Sequence, residues 1–132
     1  MKTNIPTDEH IMVMTPEELD VKAAVGPMGG TPEPQRGYMG WRLPDGSYLT
    51  TMTGMMVSNT WFPTTDIAAA MKLEDRIEEL GLIARYVFQM HYELLRCSDL
   101  PWPDDEWALF HASPLYRTRA AVLAWAASKR KQ

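Results

Sequence analysis

The chain has 132 residues, one cysteine, 45% apolar residues and a formal net charge of −4. That length supports one domain with its own core, and a lone Cys97 rules out an intrachain disulfide or a cysteine-based metal cluster. A surplus of acid over base argues against general nucleic-acid binding, because neutralising phosphates takes an excess of Lys and Arg.

Residues 1 to 13 read as an irregular lead-in without the apolar run of a signal peptide. A helix is expected next, with Thr15 as N-cap, Pro16 at the first helical position and Glu18 closing a capping box. Met14 and Leu19 are spaced as a hydrophobic staple, and the helix stops at Gly26-Pro27. From 27 to 37 the chain holds three prolines and three glycines, which excludes helix and central strand and predicts a flexible loop. Tyr38 to Leu43 and Ser47 to Thr53 then read as a hairpin closed by Pro44-Asp45-Gly46, with Gly54 a candidate bulge before Met55 to Val57.

The stretch from Trp61 to Gly81 gives the clearest helix. Thr64 or Thr65 is the expected N-cap, Asp66 falls in the first turn, and Ile67, Ala70, Leu73, Ile77 and Leu80 make the apolar stripe. Gly81 is the expected left-handed stop. The following run, 82 to 95, can be read as continuing helix. Its alternation of Tyr86, Phe88, Met90, Tyr92 and Leu94 against Arg85, Val87, Gln89, His91 and Glu93 favours a strand instead. After a Pro-broken loop, Glu106 to His111 reads as its partner strand. Ser113 and Pro114 open a last helix that runs to about Lys129, with Leu115, Thr118, Val122 and Ala126 inward. The expected fold is α+β: one domain, an antiparallel sheet of about four strands, and three covering helices.

The block Thr64-Thr65-Asp66-Ile67-Ala68-Ala69-Ala70 resembles the helix start of the small phage ABA-sandwich domain proteins. ASPLYRTRAAVLAWA is similar to that family's closing helix, and TPEELDVKAAV to its first. The resemblance implies a phage accessory protein working in the host cytoplasm. By analogy with other small phage proteins it would be a sponge for nucleotide signals of bacterial immunity, or an inhibitor of a defence protein.

Catalytic signatures are weak. His10, His91 and His111 lack metal-ligand spacing, Asp104-Asp105-Glu106 reads as a solvated loop end, and no phosphate-cradling glycine motif occurs. The chain is therefore expected to be no enzyme and to need no cofactor. Arg117 and Arg119 lie at the start of the last helix, where guanidinium forks and free amides could grip a phosphate. A carboxylate such as Glu106, Asp66 or Asp105 is the plainer partner. Trp61, with Asn59 and Asp66, could stack on and read a base, although Trp61 could equally seal the core. Trp41, beside the Gly/Pro loop, is a third candidate. The lead expectation is sequestration of an anionic, nucleotide-like small molecule by a homo-oligomer. The alternative is an acidic, methionine-rich surface that binds a protein.

Overall fold

In the computed structural model, residues 5–52, 60–97 and 112–130 are described. The architecture is α+β, with five helices among these residues and a three-stranded antiparallel sheet.

Helix α1 (Asp8–Met12) occupies part of the expected lead-in. Thr7 caps it by accepting from the His10 amide, and fully buried Ile11 pins it to the core. Helix α2 (Pro16–Val25) has the expected capping box, with Thr15 and Glu18 bonding reciprocally. It buries Leu19, Ala23 and Ala24.

The 27–37 segment is mostly loop but supplies the edge strand β1 (Thr31–Pro32), which pairs with β2 (Gly40–Arg42). An edge position suits Pro32, which has no amide to offer a second neighbour. The segment is tied down at its start, where Gly30 N donates to Ala24 O (2.8 Å) and Arg76 Nε to Pro27 O (3.0 Å). Strand β3 (Tyr48–Thr50) completes the sheet in the order β1-β2-β3, with Trp41 opposite Leu49. The expected hairpin turn is present: Gly46 N donates to Leu43 O, and Gly46 takes φ +92°, which glycine tolerates. The suggested extension through Gly54 to Val57 lies outside the described residues.

Beyond the hairpin, Trp61 N donates to Thr50 O (2.7 Å), and the chain then crosses to α2. There Trp61 Nε1 donates to Asp20 O, and the Asp20 carboxylate accepts from both Thr64 N and Thr64 Oγ1. Thr64 is thus committed to α2. Asp66, not either threonine, is the N-cap of α3 (Ile67–Glu79), accepting from Ala68 N at 3.0 Å. Helix α3 buries Ala69, Ala70, Leu73 and Ile77. It ends as expected at Gly81 (φ +73°): Leu82 N donates to Ile77 O and Gly81 N to Glu78 O, a Schellman closure.

The expected strand at 82–95 is instead helix α4 (Ile83–Cys97). Tyr86, Met90 and Glu93, spaced i, i+4, i+7, turn inward. Phe88 and Tyr92, which the strand reading placed beside Tyr86 and Met90, face out. The physical reason is composition: no Gly or Pro occurs from Leu82 to Cys97, and Ala84, Arg85, Gln89, Met90, Glu93, Leu94 and Leu95 favour helix. Gly81 therefore separates two helices. The partner strand expected at 106–111 lies outside the described residues, so the second strand pair of the four-stranded sandwich is absent from the described fold.

The last helix, α5 (Pro114–Arg130), was expected to bury one stripe. Thr118 and every residue from Ala120 to Ala126 are buried, and α1, α2, α3 and α4 all pack on it. No helix among the described residues is long and apolar enough to cross a membrane.

Burial raises the Asp20 carboxyl above its ordinary value, only partly offset by the Thr64 hydrogen bonds. The folded state then binds more protons than the unfolded chain, so stability falls as pH rises from the ordinary aspartate value through the raised one. Urea denaturation of the Asp20→Asn variant across that window should show a flatter pH dependence than the parent chain.

Candidate functional site

The two candidate arginines sit where α5 meets α3 and α4. Arg117 Nη1 pairs with Glu74 Oε2 of α3 at 2.8 Å, and its Nε donates to Ala112 O at 2.9 Å. The Tyr86 hydroxyl of α4 donates to the same Glu74 oxygen. Burial, reinforced by the Glu74 carboxylate, pushes the Tyr86 phenol far above its ordinary value, so it stays a neutral donor. Arg119 Nη1 pairs with Glu93 Oε2 at 2.8 Å, and the Glu93 side chain is 0% exposed.

The expectation that a carboxylate answers each arginine is met by Glu74 and Glu93; of the carboxylates named from the sequence, Asp66 caps α3, and Asp105 and Glu106 lie outside the described residues. A phosphate at either guanidinium would have to displace a carboxylate already in bonding contact. For Glu93 the displaced charge would have no solvent to enter, and stranding it would cost several kcal/mol.

The aromatic candidates are also committed. Trp61 is 0% exposed, with its indole N–H on Asp20 O, and Trp41 is 1% exposed. Neither ring is open for a base to stack on. Trp41 Nε1 is buried without a hydrogen-bond partner, as are Thr118 Oγ1 and Arg119 Nε. Asp66 serves as a helix cap. Asn59 lies outside the described residues. The structure therefore disperses the expected set: Arg117 and Arg119 reach different helices, Trp61 lies against α2, and Trp41 lies in the sheet.

An open feature of the described surface lies elsewhere. A groove of about 640 Å³ runs between the 43–47 turn and the C-terminal half of α3. Its floor is apolar, from Met28, Leu43 and Leu49, with Pro44 along one side. Its charged lining comprises three carboxylates, Asp45, Asp75 and Glu79, and two cations, Lys72 and Arg76. Arg76 is held by Pro27 O and by Glu79 at 3.3 Å. Bonds from Ser47 Oγ and N, with a smaller contribution from Arg76, hold the Asp45 carboxyl below its ordinary range. Such a floor and rim suit an amphipathic ligand whose apolar part is buried and whose charge stays at the edge.

Sequence reasoning passed over this groove because its members come from three segments: residue 28, the hairpin turn, and one side of α3. The only signal available was the i, i+4 spacing of Lys72 with Arg76 and of Asp75 with Glu79. Among the described residues, no three His, Cys, Asp or Glu side chains are grouped to hold a metal ion.

Breaking the Glu93–Arg119 pair from one side should be costly. Glu93→Ala leaves a guanidinium largely buried without its carboxylate, and chemical denaturation should show a loss of about 3 kcal/mol or more. Replacing both partners by Met should recover most of that loss.

No protein-family model matches the chain, and neither a curated protein nor a solved structure shows significant similarity to it.

Proposed function

We propose that the chain is a non-enzymatic binding protein whose groove between the hairpin turn and α3 takes a basic, partly apolar segment of a partner protein. The observation that carries this reading is the pairing of an apolar floor with a rim in which three carboxylates, Asp45, Asp75 and Glu79, outnumber two cations, Lys72 and Arg76, with Arg76 and Glu79 already paired to each other. Charge complementarity would set the register and speed the encounter, and desolvating an aliphatic or aromatic side chain on Leu43 and Leu49 would supply affinity. The chain's overall charge of −4 points the same way.

The phage setting implied by the resemblance fits this proposal as an inhibitor that acts by occupation, in the host cytoplasm, on a bacterial defence or host protein. Kinship with the ABA-sandwich proteins would need a second strand pair. Helix α4 takes one of the two places that pair would fill, so the binding proposal is built without it.

A second reading keeps the nucleotide-like anion as ligand. It is favoured by one feature: Lys72 and Arg76 stand one helical turn apart on the same groove wall. Here they would replace Arg117 and Arg119 as the phosphate-binding pair.

Calorimetry separates the two. A short peptide alternating Lys and Leu should bind and weaken as salt is added. The double variant Asp75→Lys, Glu79→Lys should bind it at least about tenfold more weakly. Cyclic nucleotides and ADP-ribose should give no heat with the parent chain. Binding of a nucleotide that strengthens in the double variant would replace the first reading by the second, and silence from both probes would reject both.

A further inference from the structure

Ten large hydrophobics are exposed among the described residues, and the one with the strongest claim on a partner is Phe88, at 65%. Its ring stands on the outward face of α4, one turn from Ala84 and one turn from the half-exposed ring of Tyr92. Beside it, between α4 and α5, is a shallow hollow of about 320 Å³ lined by Ala84, Arg85, Phe88, Gln89 and Ala127. The hollow exists because residues 84 and 127 are alanines, and Phe88 itself forms one wall. A large apolar knob and a small-residue hole thus lie next to each other on one surface.

The ring is kept outside by the interior. Glu93 is buried on the opposite side of α4 and bonded to Arg119, so rotating the helix to hide Phe88 would expose Met90 and pull Glu93 off its cation. Exposure of Phe88 is therefore built into the way α4 seats on α5.

We propose that this face binds a second copy of the chain, with two α4 helices antiparallel about a twofold axis beside Phe88. The argument for a second copy is self-complementarity. A twofold contact must match one patch to itself, and a knob adjacent to its own hole does so. With the axis at residue 88, positions 84 and 92 are equidistant from it, about 6 Å along the helix on either side. Tyr92 of one protomer then covers the partner's Ala84, and each Phe88 enters the other's hollow against Ala127. Large faces small on either side of the axis, and at the axis the two Phe88 rings pass each other, each toward the hollow beside the other. Gln89 flanks the axis without charge, and the two copies of Arg85, which also lines the hollow, lie about 9 Å apart along the helices. The groove at α3 uses Lys72, Asp75, Arg76 and Glu79, which point away from the side of α3 that carries Glu74 toward α4 and α5, so both surfaces can be occupied at once.

Three helical turns bury less than the roughly 800 Å² per partner of a standard stable interface, so the dimer should dissociate on dilution. Sedimentation velocity of the full chain over a dilution series should show a monomer–dimer equilibrium. Phe88→Glu should weaken it at least about thirtyfold, with the far-UV melting curve unchanged because the side chain is exposed. In a Cys97→Ser background, Phe88→Cys should oxidise to a covalent dimer, since the two positions meet at the axis. A chain that stays monomeric up to about millimolar concentration, a dimer that survives F88E, or an F88C variant that fails to cross-link while the parent dimerises would each overturn the proposal. These readouts are independent of the groove ligand.

Discussion

Four helices can share one central helix only if that helix is thin. Between Ala120 and Ala126, α5 offers four alanines, one valine and one leucine around most of its circumference, and all are buried. Small side chains let neighbouring backbones approach closely, so α1 to α4 can all pack on this one helix. The one large residue there, Trp125, is accommodated by an absence: a Cβ at Gly26 would lie 2.9 Å from its ring. The end of α2 and the middle of α5 therefore depend on each other, and the loop that follows Gly26 starts from a fixed point. A helix buried on all sides must also do without a solvated face, which leaves its polar groups to find partners inside.

Those polar groups orient the two helices that carry most of the exposed apolar surface. Arg117 reaches back to Glu74 on α3, and Arg119 reaches Glu93 on α4. Buried ion pairs add little net stability compared with apolar packing, but they penalise alternatives heavily, since any slip or rotation strands a charge. Helix α3 is thereby turned so that Lys72, Asp75, Arg76 and Glu79 look toward the hairpin turn. The same arrangement commits the arginine pair at the start of α5 to carboxylates of α3 and α4.

Much of the fold was legible in advance wherever the signal was local. Capping at Thr15, the Pro44-Asp45-Gly46 turn, the Gly81 stop and the Ser113-Pro114 helix start are each written in a few adjacent residues, and each is present. The 82–95 run misled because its aromatics alternate while also satisfying a helical stripe at 86, 90 and 93. Only the packing against Arg119 decides that Glu93 is the inward residue and Phe88 the outward one. Thr64 and Thr65 were reasonable caps, but a contact across 44 residues, from Asp20 to Thr64, shifted the cap to Asp66. For the site, an arginine pair and a tryptophan are visible in a string of letters, whereas their carboxylate partners and their burial are not. The groove was hidden for the same reason, as it belongs to no single segment.

The small sheet has a consequence for how this chain can meet others. Strand β1 is only two residues long; its backbone pairs with β2, and side chains reinforce the chain just after it, where Tyr48 Oη donates to Glu33 O and Arg42 pairs with the Glu33 carboxylate. Its outer rim carries Pro32, a residue with no amide proton to share with a newcomer. At the opposite rim, Thr60 and Trp61 already lie alongside Thr50. A foreign strand seeking to extend the sheet thus finds one side chemically blunted and the other occupied at its Thr50 end. Among the described strands, recognition by β-addition is disfavoured at both rims, and cross-β self-association through the hairpin is discouraged by the same two features.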